Sequence, residues 1–280
     1  MAFRQTIGRE ASLSGIGLHT GARSTITFAP SASGGRRFFR ADIKGGPVRA
    51  ILANVHSTVR GTNLAENGTE VFTVEHVLSA CAALNIDDLD IVLDGPEPPI
   101  MDGSAKIFFD TLKSAGLRQN AAEARYLTTA REISYTDGNV FYSAKPADRL
   151  AVAFLFLHTH PLVARQEFLY DSGTVDYATQ IAPARTFGFE EEVEALRKAG
   201  LARGGSLENC VVIAKDRFLN AEGGLRFKDE MVRHKILDTI GDLSLLDARL
   251  GRIRISAICG GHKHNVLFAR QFAEAAAEEK

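Results

Sequence analysis

Three short segments of the 280-residue chain hold residue types that can do chemistry together. Residues 233–242 read Arg-His-Lys-Ile-Leu-Asp-Thr-Ile-Gly-Asp, inside a helical pattern with apolar positions Ile236, Leu237, Ile240, Leu243 and Leu246. His234, Asp238 and Asp242 stand four residues apart. Each step of four turns only about 40° round a helix, so the three project from one stripe. An imidazole nitrogen and a carboxylate oxygen one turn apart can share a Zn²⁺ at ~2.0–2.2 Å, which a lone His cannot hold. The plain alternative is a solvated face of His–Asp pairs.

The second segment, residues 73–80, places Glu75 and His76 in an otherwise apolar helical run. Burying two titratable groups is costly, so a partner or a metal is required. Neighbouring helical positions diverge by about 100°; His76 then reads as a ligand and Glu75 as a base able to reach a bound water. A core histidine bonded to a carbonyl remains open. The third segment, Cys259-Gly260-Gly261-His262-Lys263-His264-Asn265, follows a strand-like stretch, and its glycines permit a turn that sets His262 at a strand end. An exposed loop is the alternative, and His264 keeps that reading. Cys81, Cys210 and Cys259 read as small hydrophobes, and Asp216 with Arg217 as a turn.

These segments need elements to position them. Helical periodicity covers 71–84, 105–116, 189–199, 229–246 and 266–277; strand-like runs cover 24–28, 90–93, 151–157, 210–214 and 253–258. There is no strict βαβ rhythm and no Gly-rich phosphate fingerprint, so the fold class is α+β. The polar, Ala-rich stretch 118–125 separates two halves, predicting domains at 1–122 and 123–280 with a site between them. No duplication is visible in the sequence itself.

Composition sets the outer limits. With 45% hydrophobic and 24% charged residues the chain is that of an ordinary globular protein. A net charge of −1 provides no field for nucleic acid or an anionic membrane. The longest apolar run, 151–157, falls far short of the ~18 residues of a membrane span, so no stable membrane insertion is expected. Three cysteines without C-x-x-C spacing point to a reducing compartment and a cytoplasmic protein.

Taken in order, the strings GIGLHTG (15–21), TVEHVLSA (73–80), PEPPIMDGSA (96–105), ARTFGF (184–189), GLRFKDEMVRHKILDTIGD (224–242) and GGH (260–262) resemble the zinc-dependent UDP-3-O-acyl-N-acetylglucosamine deacetylases of lipid A synthesis. The resemblance runs through nearly the whole chain, and the VEH and HKxLDxxGD strings are specific. It implies two α+β domains, each a sheet layered on a pair of helices, with the active site at their interface and an acyl-chain passage in an insert at about 188–219. It implies Zn²⁺ held by His76, His234 and Asp238, with Glu75 as general base. His262, held by Asp242, would be the catalytic acid or electrostatic stabiliser, and Thr186 would stabilise the oxyanion. Phe187 would line the pocket, Lys235 would reach a polar part of the acylated UDP-amino-sugar substrate, and His19 would sit near the sugar. Two departures stand out. Ile258-Cys259-Gly260-Gly261-His262 replaces Tyr-Lys-Ser-Gly-His, losing a cation that Lys263 would replace, and Asn85-Ile86-Asp87-Asp88 replaces Gly-Ile-Asp-Asn. The missing cation keeps open a paralogue acting on another N-acetyl sugar. A non-catalytic nucleotide-sugar or acyl-chain sensor is disfavoured, because it needs neither Glu75 beside a ligand nor Asp242 behind His262.

Overall fold

The computed structural model describes residues 2–220 and 224–278. Two five-stranded sheets dominate it. The first runs Ala11–Ile16, Arg23–Pro30, Leu89–Leu93, Arg36–Arg40, Val48–Arg49; the second runs Ile133–Asp137, Val140–Pro146, Ile253–Ile258, Ala151–Leu157, Arg165–Asp171. In chain order both read first, second, fifth, third, fourth. Every neighbouring pair is antiparallel except the fifth with the third. The duplication that the sequence hides is therefore plain in the topology.

Six helices are described: α1 Glu75–Ala83, α2 Lys106–Ser114, α3 Tyr177–Gln180, α4 Glu190–Lys198, α5 Glu230–Leu243 and α6 His262–Glu278. α1 precedes and α2 follows the central strand of the first sheet; α5 and α6 stand in the same places in the second. None is long and apolar enough to cross a membrane. Alternation explains the layering: Leu89, Ile91 and Leu93 are buried while Asp90 and Val92 are half-buried, and Ile253, Ile255 and Ala257 face inward likewise. On α2 the buried side chains are Phe108, Phe109 and Leu112, with Phe108 edge-on to Phe28 at 6.4 Å.

The sequence expectations hold for strands 151–157 and 253–258 and shift elsewhere. α1 starts at Glu75 rather than 71, because Thr69–Val71 is a strand and Thr73 takes φ +53°. Thr73 is pinned there by its amide on Asn63 Oδ1 (3.0 Å) and its hydroxyl on Glu97 Oε1 (2.9 Å). α6 begins at His262, four residues earlier than its apolar periodicity suggests, since the Gly260–Gly261 turn leads straight into it. The stretch read as a separator contains a strand, Leu117–Glu123, antiparallel to Phe3–Ile7. Its mostly exposed side chains gave no apolar alternation to read.

The departure at 88 and the neighbouring Asp87 acquire a structural meaning. Asp88, fully buried, accepts Arg4 Nε (2.9 Å), Gly35 N (3.0 Å) and Asn120 Nδ2 (2.8 Å), joining three segments of the first half. Asp87 pairs with Arg249 at 2.6 Å, a buried link to the second half, where Arg36 also donates to the Ser244 carbonyl (2.6 Å).

The halves also meet closely where α1 crosses α5. At position 241 a Cβ would collide with the Glu75 carbonyl oxygen, so only glycine lets the helices meet. Gly241→Ala is expected to force them apart at a cost of about 1–3 kcal/mol, the usual range for overpacking. Denaturant midpoints check this; an unchanged midpoint would mean that the crossing relaxes freely.

Candidate active site

The crossing brings together residues from both halves. His76 on α1 meets His234 and Asp238 on α5: His76 Nε2 lies 3.8 Å and His234 Nε2 3.3 Å from Asp238 Oδ1, and one potential ligand atom from each residue lies within 4.8 Å of the others. All three are buried. Asp238 Oδ1 and His76 Nδ1 have no hydrogen-bond partner among the described residues. A buried carboxylate oxygen without a donor is expensive, and a cation between the two imidazoles removes that cost. His234 Nδ1 donates to the Ala184 carbonyl (3.0 Å), which fixes the tautomer and leaves Nε2 with its lone pair toward Asp238. The residues present therefore fit a metal ion.

Electrostatics agree with that fit. Burial, reinforced by His234, pushes the His76 imidazole down to about 3, so it is neutral and able to ligate. Burial also lowers His234. Burial opposes ionisation of Asp238, yet His234, Lys235, His262 and His76 around it hold it below the usual carboxylate range.

Beside this cluster lies a second one, Glu75, Asp242 and His262. His262 Nδ1 is 3.1 Å from Asp242 Oδ2, and its Nε2 is 3.9 Å from Glu75 Oε1 and 3.8 Å from Asp238 Oδ2. Burial pushes the Glu75 carboxyl up to about 7, with Asp242 and Asp238 adding to the rise and His262 opposing it. Burial alone would lower His262; the carboxylates of Asp238, Asp242 and Glu75 outweigh it and raise the imidazole to about 9. Between those values the pair holds an ionised acid facing a protonated imidazole, which suits proton transfer in both directions.

Three supporting residues escaped the sequence reading. Thr62 donates its amide to Glu75 Oε2 (2.9 Å) and its hydroxyl to Asp242 Oδ1 (2.6 Å), tying both carboxylates of the second cluster to the turn after Gly61. Asn265 donates to Asp242 Oδ2 (2.8 Å) and accepts from the Tyr142 hydroxyl (2.6 Å). A side chain at 260 would collide with that hydroxyl, which ties the glycine there to Tyr142. One turn beyond His262 on α6, Asn265 was the only one of these with a legible spacing; Thr62 and Tyr142 arrive through tertiary packing alone.

A cavity of about 200 Å³ opens over the two clusters and is lined also by Thr186, Phe187 and Lys235. Lys235 Nζ is 3.2 Å from Asp238 Oδ2 and 5.3 Å from the centre of the Phe187 ring. Thr186, Phe187 and Phe189 also line an adjoining cavity of about 330 Å³, walled by α4 and by Leu207, Val212 and Leu219. The parallel strands Phe187–Phe189 and Val211–Ile213 with α4 build the segment expected to be an insert. His19 belongs to this second cavity, its Nε2 donating to the Arg60 carbonyl (3.1 Å) and its Nδ1 accepting the Ala202 amide (3.3 Å). Buried Glu97 holds that loop through the amides of His19 (3.0 Å) and Thr20 (2.9 Å). Lys263 stands apart: exposed, 4.0 Å from Asp137, it lines neither cavity.

The sequence profile of the UDP-3-O-acyl N-acetylglycosamine deacetylase family matches residues 4–274. Among curated relatives, the UDP-3-O-acyl-N-acetylglucosamine deacetylase of Myxococcus xanthus (strain DK1622) is 45% identical over 86% of this chain and 77% of its own. Enzymes of the same name from Geobacter sp. (strain M21) and Anaeromyxobacter sp. (strain Fw109-5) are 40% and 41% identical over 95% and 96% of this chain and 87% and 88% of theirs.

One divalent ion per chain is the expected content of the purified protein, and His234→Ala should lose it, because two ligands hold an ion poorly. Elemental analysis decides; full occupancy in that variant would break the assignment.

Proposed function

Because the chain belongs to the UDP-3-O-acyl N-acetylglycosamine deacetylase family, we propose that it hydrolyses the N-acetyl group of UDP-3-O-acyl-N-acetylglucosamine, releasing acetate and the free amine, as a step of lipid A synthesis. The observation that carries this reading is the juxtaposition of an unsatisfied metal-ligand cluster, a base–acid pair and an apolar cavity. His76, His234 and Asp238 would hold Zn²⁺, a borderline ion suited to two imidazoles and a carboxylate, with a position left open. When bound, the ion supplies Lewis acidity, polarising a carbonyl oxygen and acidifying a water.

The chain's own groups do the rest. Glu75 takes the proton of the attacking water at Oε1, the oxygen not engaged by the Thr62 amide. Attack on the acetamide carbon makes a tetrahedral oxyanion, which the Thr186 hydroxyl stabilises; a well-placed donor of this kind is worth ~3–4 kcal/mol. His262, held through Nδ1 by Asp242, gives a proton from Nε2 to the departing amine. Phe187 shields the reaction from water, Lys235 meets a polar part of the substrate, and His19 contacts the sugar. The cavity between α4 and Leu219 takes the acyl chain.

We divide the chain between residues 122 and 123, at the last residue of the strand Leu117–Glu123 that closes the first half onto the N-terminus. Cys81, Cys210 and Cys259 are all unpaired, which supports a cytoplasmic location.

Mass spectrometry of the products from UDP-3-O-acyl-N-acetylglucosamine tests the activity; zinc-loaded protein that releases no acetate would overturn it. Glu75→Gln should keep the metal and lose on the order of 10²–10⁴ in turnover, the scale of general-base catalysis; turnover and metal content are measured on the same preparation. Activity should require ionised Glu75 on the acid side and protonated His262 on the alkaline side. Asp242→Asn removes one of the carboxylates that raise His262, so the alkaline limb of the pH–rate profile should move to lower pH with metal retained. A profile identical to the parent's would uncouple the two residues.

A further inference from the structure

A further cavity has no part in this chemistry. About 620 Å³ in volume, it lies behind the helix pair, walled by Ala82 and Ala83 near the end of α1, by Ile240 of α5, and by Tyr126, Tyr170 and Tyr177. No residue lines both this space and the metal cavity. Ile240 lies about 200° round α5 from Asp238, so the two cavities face opposite sides of the same helix. The volume falls within the ~300–1,000 Å³ of small-molecule sites.

Its wall is mostly apolar and aromatic. Tyr170 and Tyr177 meet edge to face at 6.1 Å, leaving ring surface toward the space. Two polar features stand out. Tyr170 is 7% exposed, yet its hydroxyl has no hydrogen-bond partner among the described residues, unlike that of Tyr177, which bonds Ser79 Oγ at 2.7 Å. Burial pushes the Tyr170 phenol up to about 12, so at neutral pH it is a donor awaiting an acceptor. Of the described residues that line the cavity, only Arg252 is charged; it is exposed at the cavity's edge, and its guanidinium has no ion-pair or hydrogen-bond partner among the described residues. A lone phenol donor that opens onto the cavity from a buried tyrosine, and an exposed guanidinium on the same lining, make a site for an anion carried on a flat apolar body.

We propose that this rear cavity is a second small-molecule site that takes an aromatic carboxylate, its rings among Tyr126, Tyr170 and Tyr177 and its carboxylate on Arg252 and the Tyr170 hydroxyl. An occupant would touch α1 and α5 from the side away from the metal cluster.

Calorimetric titration of the intact, metal-loaded protein with 2-naphthoate tests this, with neutral 2-naphthamide as comparator. The carboxylate should bind with a Kd in the millimolar range or tighter, and the amide at least about tenfold more weakly, the loss expected when a charge-assisted contact disappears. Arg252→Ala and Tyr170→Phe should each weaken 2-naphthoate while leaving deacetylation unchanged. Absence of binding, equal affinity for acid and amide, binding untouched by both substitutions, or inhibition competitive with the substrate would each overturn the proposal.

Discussion

The carbonyl oxygen of Glu75 lies against Gly241, and that contact sets the spacing of α1 and α5. Both titratable clusters, which draw residues from each of these helices, follow from it. With the helices this close, His76 faces His234 and Asp238, and Glu75, next along α1, is delivered to His262. A wider crossing would leave the buried carboxylates and imidazoles without their mutual attraction, each bearing a desolvation cost of several kcal/mol. The glycine is thus the condition under which so many charges can be packed inside.

Within that interior the carboxylates take different characters from different neighbours. Asp238 sits among imidazoles and beside Lys235, which keep it ionised, whereas Glu75 has burial and two other carboxylates acting on it and rises. Thr62 binds both Glu75 and Asp242, so the orientation of base and acid is set by one residue of the first half. The Tyr142–Asn265–Asp242 chain performs the same service from the second half. Neither half holds a complete set of working groups.

Much of this was legible in the sequence. The i, i+4 spacing of His234 and Asp238 is a helical signal, and α5 is regular enough to honour it. The strands at 151–157 and 253–258 are apolar or alternating runs with clear ends, and they appear at those bounds. The start of α1 was misplaced because Thr73 is held at positive φ by two distant partners, which local propensity cannot register. The exposed strand Leu117–Glu123 has no buried face to betray it. Thr62 and Tyr142 lack any local signature, since their partners lie 180 and 123 residues away. The duplication escaped notice because topology is kept by pattern and turn geometry, which many sequences satisfy.

The duplicated strand order has a consequence for how the chain is made. In each sheet the middle strand is the last to be synthesised: Leu89–Leu93 slips between two earlier hairpins, and Ile253–Ile258 does the same in the second half. Until it arrives, each sheet is two separated ribbons with open inner edges. The first gap waits only for residues 50–88, but the second waits for residues 172–252, roughly 4–16 s at ~5–20 residues per second. During that interval two apolar strand edges are unpaired on the ribosome, where closure demands contacts of long sequence separation. A strand from a neighbouring nascent chain fits the same gap, so strand exchange between copies on one polysome is the misassembly this topology invites, and the C-terminal half is where it would occur.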